Sequence, residues 1–248
     1  WLAVELMENG WSLKHIQRLI VNSKTYRRSS SPNARLVAAN TSIDPDNHLF
    51  WKANVRRLDA EVIRDSLLQA AGNLDTQLHG EDIDYADGQV VNRRSLYFRH
   101  AYEKQMTMLV LFDAAGPNEC YRRSESVIPQ QALALANSPL SVSQARRLAN
   151  QLWEPLATGS NSHSIDLETR FIKSAFQRTL ARAPAEEEID ACREFLKEQA
   201  ALLAHPDSLT EFASKSSAGV AAAKDPDLRA MQNLVHVLMN HNDFVSVR

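Results

Sequence analysis

Apolar residues recur at three- and four-residue intervals along most of this chain, the period of a helix that buries one face. "WLAVELMENG" predicts a first helix ending at Gly10, since glycine takes the left-handed closing conformation cheaply. "WSLKHIQRLIVNS" predicts a second, with Ser12 as cap and Leu13, Ile16, Leu19 and Ile20 on one face. Residues 23–34 form a polar connection. A helix after Asp59 carries Val62, Ile63, Leu67 and Ala70 on its apolar face and stops at Gly72. Trp11 and Trp51 stand beside apolar helix starts and are expected in the core.

The pattern breaks once. "RRSLYFRHAY" alternates and is aromatic, and "MTMLVLFD" is a short apolar run, so at most a short β-hairpin is expected near residues 93–112. Helical spacing then resumes. Pro129 starts one helix and Pro139 ends or bends it. "SVSQARRLANQLW" forms the next, and Phe171, Ile172, Ala175, Phe176 and Leu180 make the stripe of another. Pro184 and Glu186 to Glu188 suit a helix N-terminus, and "LRAMQNLVHVLMNHNDF" closes the chain. The fold class is mainly α: one multi-helix domain over 1–248, with a subdivision near 155–164 as an alternative and a mobile insertion at 205–227.

Composition narrows the chemistry more by exclusion. The chain has 248 residues, 44% hydrophobic and 23% charged, ordinary values for a globular domain. Its 28 basic and 30 acidic residues leave a net charge of -2, which gives no electrostatic reason to expect a nucleic-acid partner. Seven glycines, with no G-x-G-x-x-G or P-loop, argue against a nucleotide site. No apolar run approaches the length of a membrane span. The opening at Trp1, within a helical pattern and without an initiator methionine, reads as a fragment of something longer.

Three sets of residues could carry chemistry. Cys120, beside Arg122 and Arg123, is either a thiolate activated by its basic neighbours or a structural cysteine. Cys192 sits at helical spacing with Ile189, Phe195 and Leu196, on a core face. Asp44, Asp46 and Asn47 offer clustered oxygens that could hold calcium, although the loop lacks the length and glycine of an EF-hand; side-chain turns are the plainer reading. The arginine pairs Arg56/Arg57, Arg93/Arg94 and Arg122/Arg123 would bind sulfate or carboxylate groups if the fold gathered them. Otherwise they pair with carboxylates such as Asp59, Glu61 and Asp65. No cofactor motif is present in the chain.

Six phrases in order, "GWSLKHIQRLIVNSKTYRRSS", "DPDNHLFWKANVRRLDAEVIRDSLL", "RRSLYF", "FDAAGPNECYRRSESVIPQQALALANSP", "FQRTLARAPAEEE" and "LVHVLMNHNDF", resemble the planctomycete domain of unknown function fifteen-fifty-three. His241 departs from the small residue usual there. The resemblance implies the C-terminal part of a large exported protein, periplasmic or extracellular, often behind a cytochrome-c-type domain that would carry haem c. In that setting a disulfide at Cys120 or Cys192 gains weight over a free nucleophile. The family has no established activity, so the resemblance carries over no catalytic residue. The expected role is a non-catalytic scaffold or binding module that contacts the parent's other domains and anionic polysaccharide or a partner protein. Two alternatives stand beside it: a polysaccharide-directed hydrolase or redox-associated enzyme domain, and a calcium-stabilised adhesion domain.

Overall fold

The computed structural model describes residues 1–118, 123, 126–158, 164–205 and 219–247. It is a mainly helical protein whose backbone divides after Arg57 into two compact units.

The first unit comprises Trp1–Arg57 with Ser246–Arg248. It contains α1 (Leu2–Glu8), α2 (Leu13–Asn22) and α3 (Ala34–Thr41). Gly10 and Trp11 both adopt positive φ, 65° and 59°, and turn α1 into α2. Ser12 caps α2 by accepting from His15 N, and Asn33 caps α3 by accepting from Leu36 N at 2.9 Å. Trp11 is 69% exposed, contrary to the core position expected for it: the left-handed turn consumes its backbone, whose N–H reaches Leu6 O at 2.8 Å. Strand β1 (Arg56–Arg57) pairs antiparallel with β2 (Ser246–Val247). Among the unit's described residues only Asp44 and Asn47 are buried.

The second unit, Leu58–Val245, holds the apolar core. Its helices are α4 (Ala60–Ala70), α5 (Thr107–Leu111), α6 (Pro129–Asn137), α7 (Pro139–Thr158), α8 (Ser164–Thr179), α9 (Glu186–Leu203) and α10 (Pro226–Met239). α10 packs against α7, α8 and α9. The stripe Phe171, Ile172, Ala175 and Phe176 of α8 is buried, as its spacing predicts, with Leu148 and Ala149 of α7 and Leu234, Val235 and Leu238 of α10. Trp153 of α7 meets Phe171 of α8 edge-to-face at 6.4 Å, so the helices on either side of residues 155–164 share one core.

At most a short hairpin is expected near 93–112; the paired strands are 56–57 and 246–247, and an antiparallel bridge joins Ala101 to Lys104. There the chain forms a 3₁₀ turn at Ser95–Tyr97, isolated bridges and α5. The reason is competition for its backbone: Asp65 accepts from Ser95 N at 2.8 Å, and Arg64 donates to Arg93 O at 2.9 Å. The expected insertion at 205–227 falls largely on residues that are not described. Residues 206–218 lie outside the described residues, whereas 219–225 form a strap on the bundle. Ser143 Oγ accepts from Val220 N at 3.1 Å, Arg146 donates to Val220 O at 3.0 Å, and Gln232 Oε1 accepts from Ala223 N at 3.0 Å.

Candidate functional site

The second unit opens a cleft of about 340 Å³ between the first turn of α4, the segment 95–100 and α5. Three buried apolar side chains line it, Phe98, Met106 and Leu109, with buried Ser95 beside them. Asp59, Glu61, Arg99, His100 and Arg123 add charge and hydrogen-bonding capacity. Such a size is at the small end of pockets that enclose a ligand.

The cleft rests on a buried arginine of α4. Arg64 is fully buried on α4, where it falls among Ile63, Leu67 and Leu68. Its guanidinium donates to Gly88 O at 3.1 Å, Arg93 O at 2.9 Å, Ser95 Oγ at 3.3 Å and Val91 O. It also stacks at 4.6 Å on the Phe98 ring. Burial pulls its pKa down to about 10, with the Asp65 charge opposing. Asp65 completes the support: it accepts from Ser95 N and from Ser95 Oγ at 2.6 Å and lies 3.6 Å from Arg64 and 3.9 Å from Arg94. One helix thus fixes the segment that supplies Phe98, Arg99 and His100.

Three charged groups of the cleft, Glu61, Arg99 and Arg123, are already paired. Arg123 grips Glu61 through two hydrogen bonds, 2.6 and 3.3 Å. Partial burial opposes ionisation of Glu61, but the Arg123 hydrogen bond, a backbone hydrogen bond and the charges of Arg123 and His100 hold its carboxyl below the usual range. Arg123 is correspondingly raised, first by its hydrogen bond to Glu61. Arg99 pairs with Asp82, whose carboxyl is lowered by that hydrogen bond. His100 Nε2 lies 2.7 Å from Ala115 O; a carbonyl only accepts, so this nitrogen carries a proton and donates it.

The other residues singled out in the sequence are placed as follows. Arg93 stacks on Tyr97 at 4.1 Å and donates to Gln77 O and His79 O. Arg94 is drawn to Asp65, and Arg56 and Arg57 form β1. Among the described arginines of these pairs in the second unit, Arg123 lines the cleft, while Arg93 and Arg94 are held by the partners just named. Cys120 and Arg122 lie outside the described residues. Cys192 is a free, buried thiol on α9, pushed up to about 11 by burial and by the charge of Glu188. Asp44 accepts from His48 N and Leu49 N at 2.9 and 2.8 Å, and Asn47 bonds the backbone of Lys52. Asp46 is exposed, 3.8 Å from His48. Among the described residues no group of three or more His, Cys, Asp or Glu could hold a metal ion.

A second hollow, of about 320 Å³, lies at one end of the α7–α10 bundle beside Trp153, Lys197 and Met231. No described helix is long and apolar enough to cross a membrane.

Sequence reasoning reached Glu61 and Arg123 through their charge but passed over Arg64, Phe98 and His100. The signal for Arg64 was present: a charged residue three or four positions from Ala60, Leu67 and Leu68 stands on a buried stripe. His100 carried no comparable signal. Comparison with curated proteins and with solved structures gives no match. The family model described as PSD1, a protein of unknown function (DUF1553), matches residues 1–196, and the chain belongs to this family.

Proposed function

We propose that the chain is a non-catalytic binding module of a larger exported protein, and that its cleft takes a neutral carbohydrate segment. The observation that carries the ligand class is the pairing of opposite charges beside an apolar floor. Glu61 with Arg123, and Arg99 with Asp82, present alternating acceptors and donors with their charges offset. Hydroxyl groups both donate and accept, so a polyol can join such pairs without breaking them. The C–H face of a sugar suits Phe98, Met106 and Leu109 beneath. An anionic polysaccharide would have to displace a carboxylate from each arginine.

The chemistry of the groups argues for binding over turnover. Glu61 is held ionised by Arg123 and is a poor proton donor at neutral pH. The Cys192 thiol, buried and raised to about 11, is a poor nucleophile. The exported, cytochrome-c-linked parent rests on the family resemblance alone, and contacts with the parent's other domains belong to that same proposal.

A thermal-shift screen against neutral, sulfated and carboxylated oligosaccharides and divalent metals tests the reading. A ligand that binds only the native state raises the melting temperature. A rise confined to neutral sugars, lost in His100→Ala, supports it. A rise with anionic sugars alone, or with calcium, contradicts it.

A further inference from the structure

We propose that the first unit docks on an anionic lipid surface through the loop that presents Leu49 and Phe50. This goes beyond the carbohydrate reading, concerns other residues and stands or falls separately from it.

The first observation is a rigid loop with an exposed apolar tip. Asp44 and Asn47, buried, hold it from within: Asp44 takes the N–H groups of His48 and Leu49, and Asn47 donates to Lys52 O at 2.9 Å and Asn54 Oδ1 at 2.8 Å. Arg28 donates to Phe50 O from outside. Within this frame Leu49 is 74% exposed and Phe50 57%, and Ile43 at the loop's start is 78% exposed. Phe50 also has φ 52°, a left-handed conformation that disfavours a bulky residue. The polar network thus fixes an exposed phenylalanine in a strained backbone, an arrangement that typically marks a binding site.

The second observation is charge. The first unit holds ten Lys and Arg against four Asp and Glu, a net +6, whereas the second holds 18 against 26, a net -8. The overall value of -2 conceals this division. Arg28 and Lys52 lie on the tip itself, and Lys52 Nζ stands 5.0 Å over the Trp51 ring. Trp51 anchors its Nε1 to Asp44 O at 2.9 Å. Tryptophan and lysine beside inserted aliphatic and aromatic side chains are the residues that favour a bilayer interface. Basic charge adds attraction to anionic headgroups. Trp1, Trp11 and Leu13 of the same unit are exposed as well.

The test is co-sedimentation of the whole chain with vesicles of phosphatidylcholine alone and of equal parts phosphatidylcholine and phosphatidylglycerol. The expected result is binding to the mixed vesicles that weakens with salt, and little to the neutral ones. The double variant Leu49→Ser, Phe50→Asn alters only exposed side chains, and asparagine tolerates the left-handed conformation. It should keep the wild-type melting temperature and bind about tenfold more weakly. Absence of binding to the mixed vesicles overturns the proposal, as does binding indifferent to the double variant in a folded protein. Equal competition by soluble polyglutamate would assign the surface to an acidic polypeptide instead, and also overturns it.

Discussion

The guanidinium of Arg64 lies 4.6 Å from the ring of Phe98, both side chains buried, one on α4 and the other lining the cleft. This contact joins the core of the second unit to its candidate site. Phe98 gains a backing that no aliphatic residue would supply, and Arg64 satisfies carbonyls that would otherwise lack partners.

Replacing Arg64 should therefore cost more than an ordinary core substitution. Arg64→Leu leaves the carbonyls of Gly88, Val91 and Arg93 without this donor. We expect a loss of about 3 kcal/mol in urea unfolding. Arg64→Lys should recover little, because an ammonium cannot fan across acceptors set for a planar group. A loss below about 1 kcal/mol would contradict the role assigned to Arg64.

A second prediction concerns pH. Arg182 binds Glu188 through two hydrogen bonds of 2.7 Å and Asp243 through one of 3.0 Å, tying the start of α9 to the chain beyond α10. Its hydrogen bond to Arg182 chiefly lowers the Glu188 pKa from 4.5 to about 2. A carboxyl depressed on folding stabilises fully above its unfolded pKa, and that contribution falls away as pH drops through the folded one. The pair is about a third exposed, so screening leaves about 1 kcal/mol of this effect. Urea midpoints of wild type and Glu188→Gln should differ at pH 7 and converge as pH falls from about 4.5 to about 2.

Cys192 gives a chemical readout of the core. A thiol raised to about 11 by burial should react with a maleimide only as fast as the second unit opens. Peptide mapping at pH 8 separates it from Cys120. Labelling of Cys192 in the native protein at the rate of a free peptide thiol would contradict the placement of α9.

The strap at 219–225 depends on its glycine. Gly219 has φ 90°, and a β-carbon there would overlap Ser143 Oγ, the acceptor for Val220 N. Gly219→Ala should cost about 2 kcal/mol and free the strap to proteolysis while leaving the cleft intact. Unchanged trypsin cleavage at Lys224 would show that the strap is not held this way.

The sequence made the helices legible because most obey one rule: the α8 stripe and the apolar side of α10 repeat at helical spacing and are buried as that spacing predicts. In the segment 93–112 the aromatic alternation signals strand, but its backbone partners, Arg64 and Asp65, lie about 30 residues earlier, so no more than isolated bridges form there. Trp11 stands beside an apolar helix start, which predicts burial, but two successive left-handed residues expose it. Glu61 and Arg123 could be named as charges, but 62 positions separate them, and no local pattern encodes their meeting. His100 became visible only through its contact with Ala115 O.

The central claim is that the cleft beside Phe98 binds a neutral carbohydrate. Isothermal titration of neutral oligosaccharides into wild type, His100→Ala and Glu61→Gln addresses it most directly. The account predicts saturable binding by wild type, weakened about tenfold by each substitution with the fold preserved. Binding of unchanged strength in both variants, or none to wild type across the panel, would contradict it.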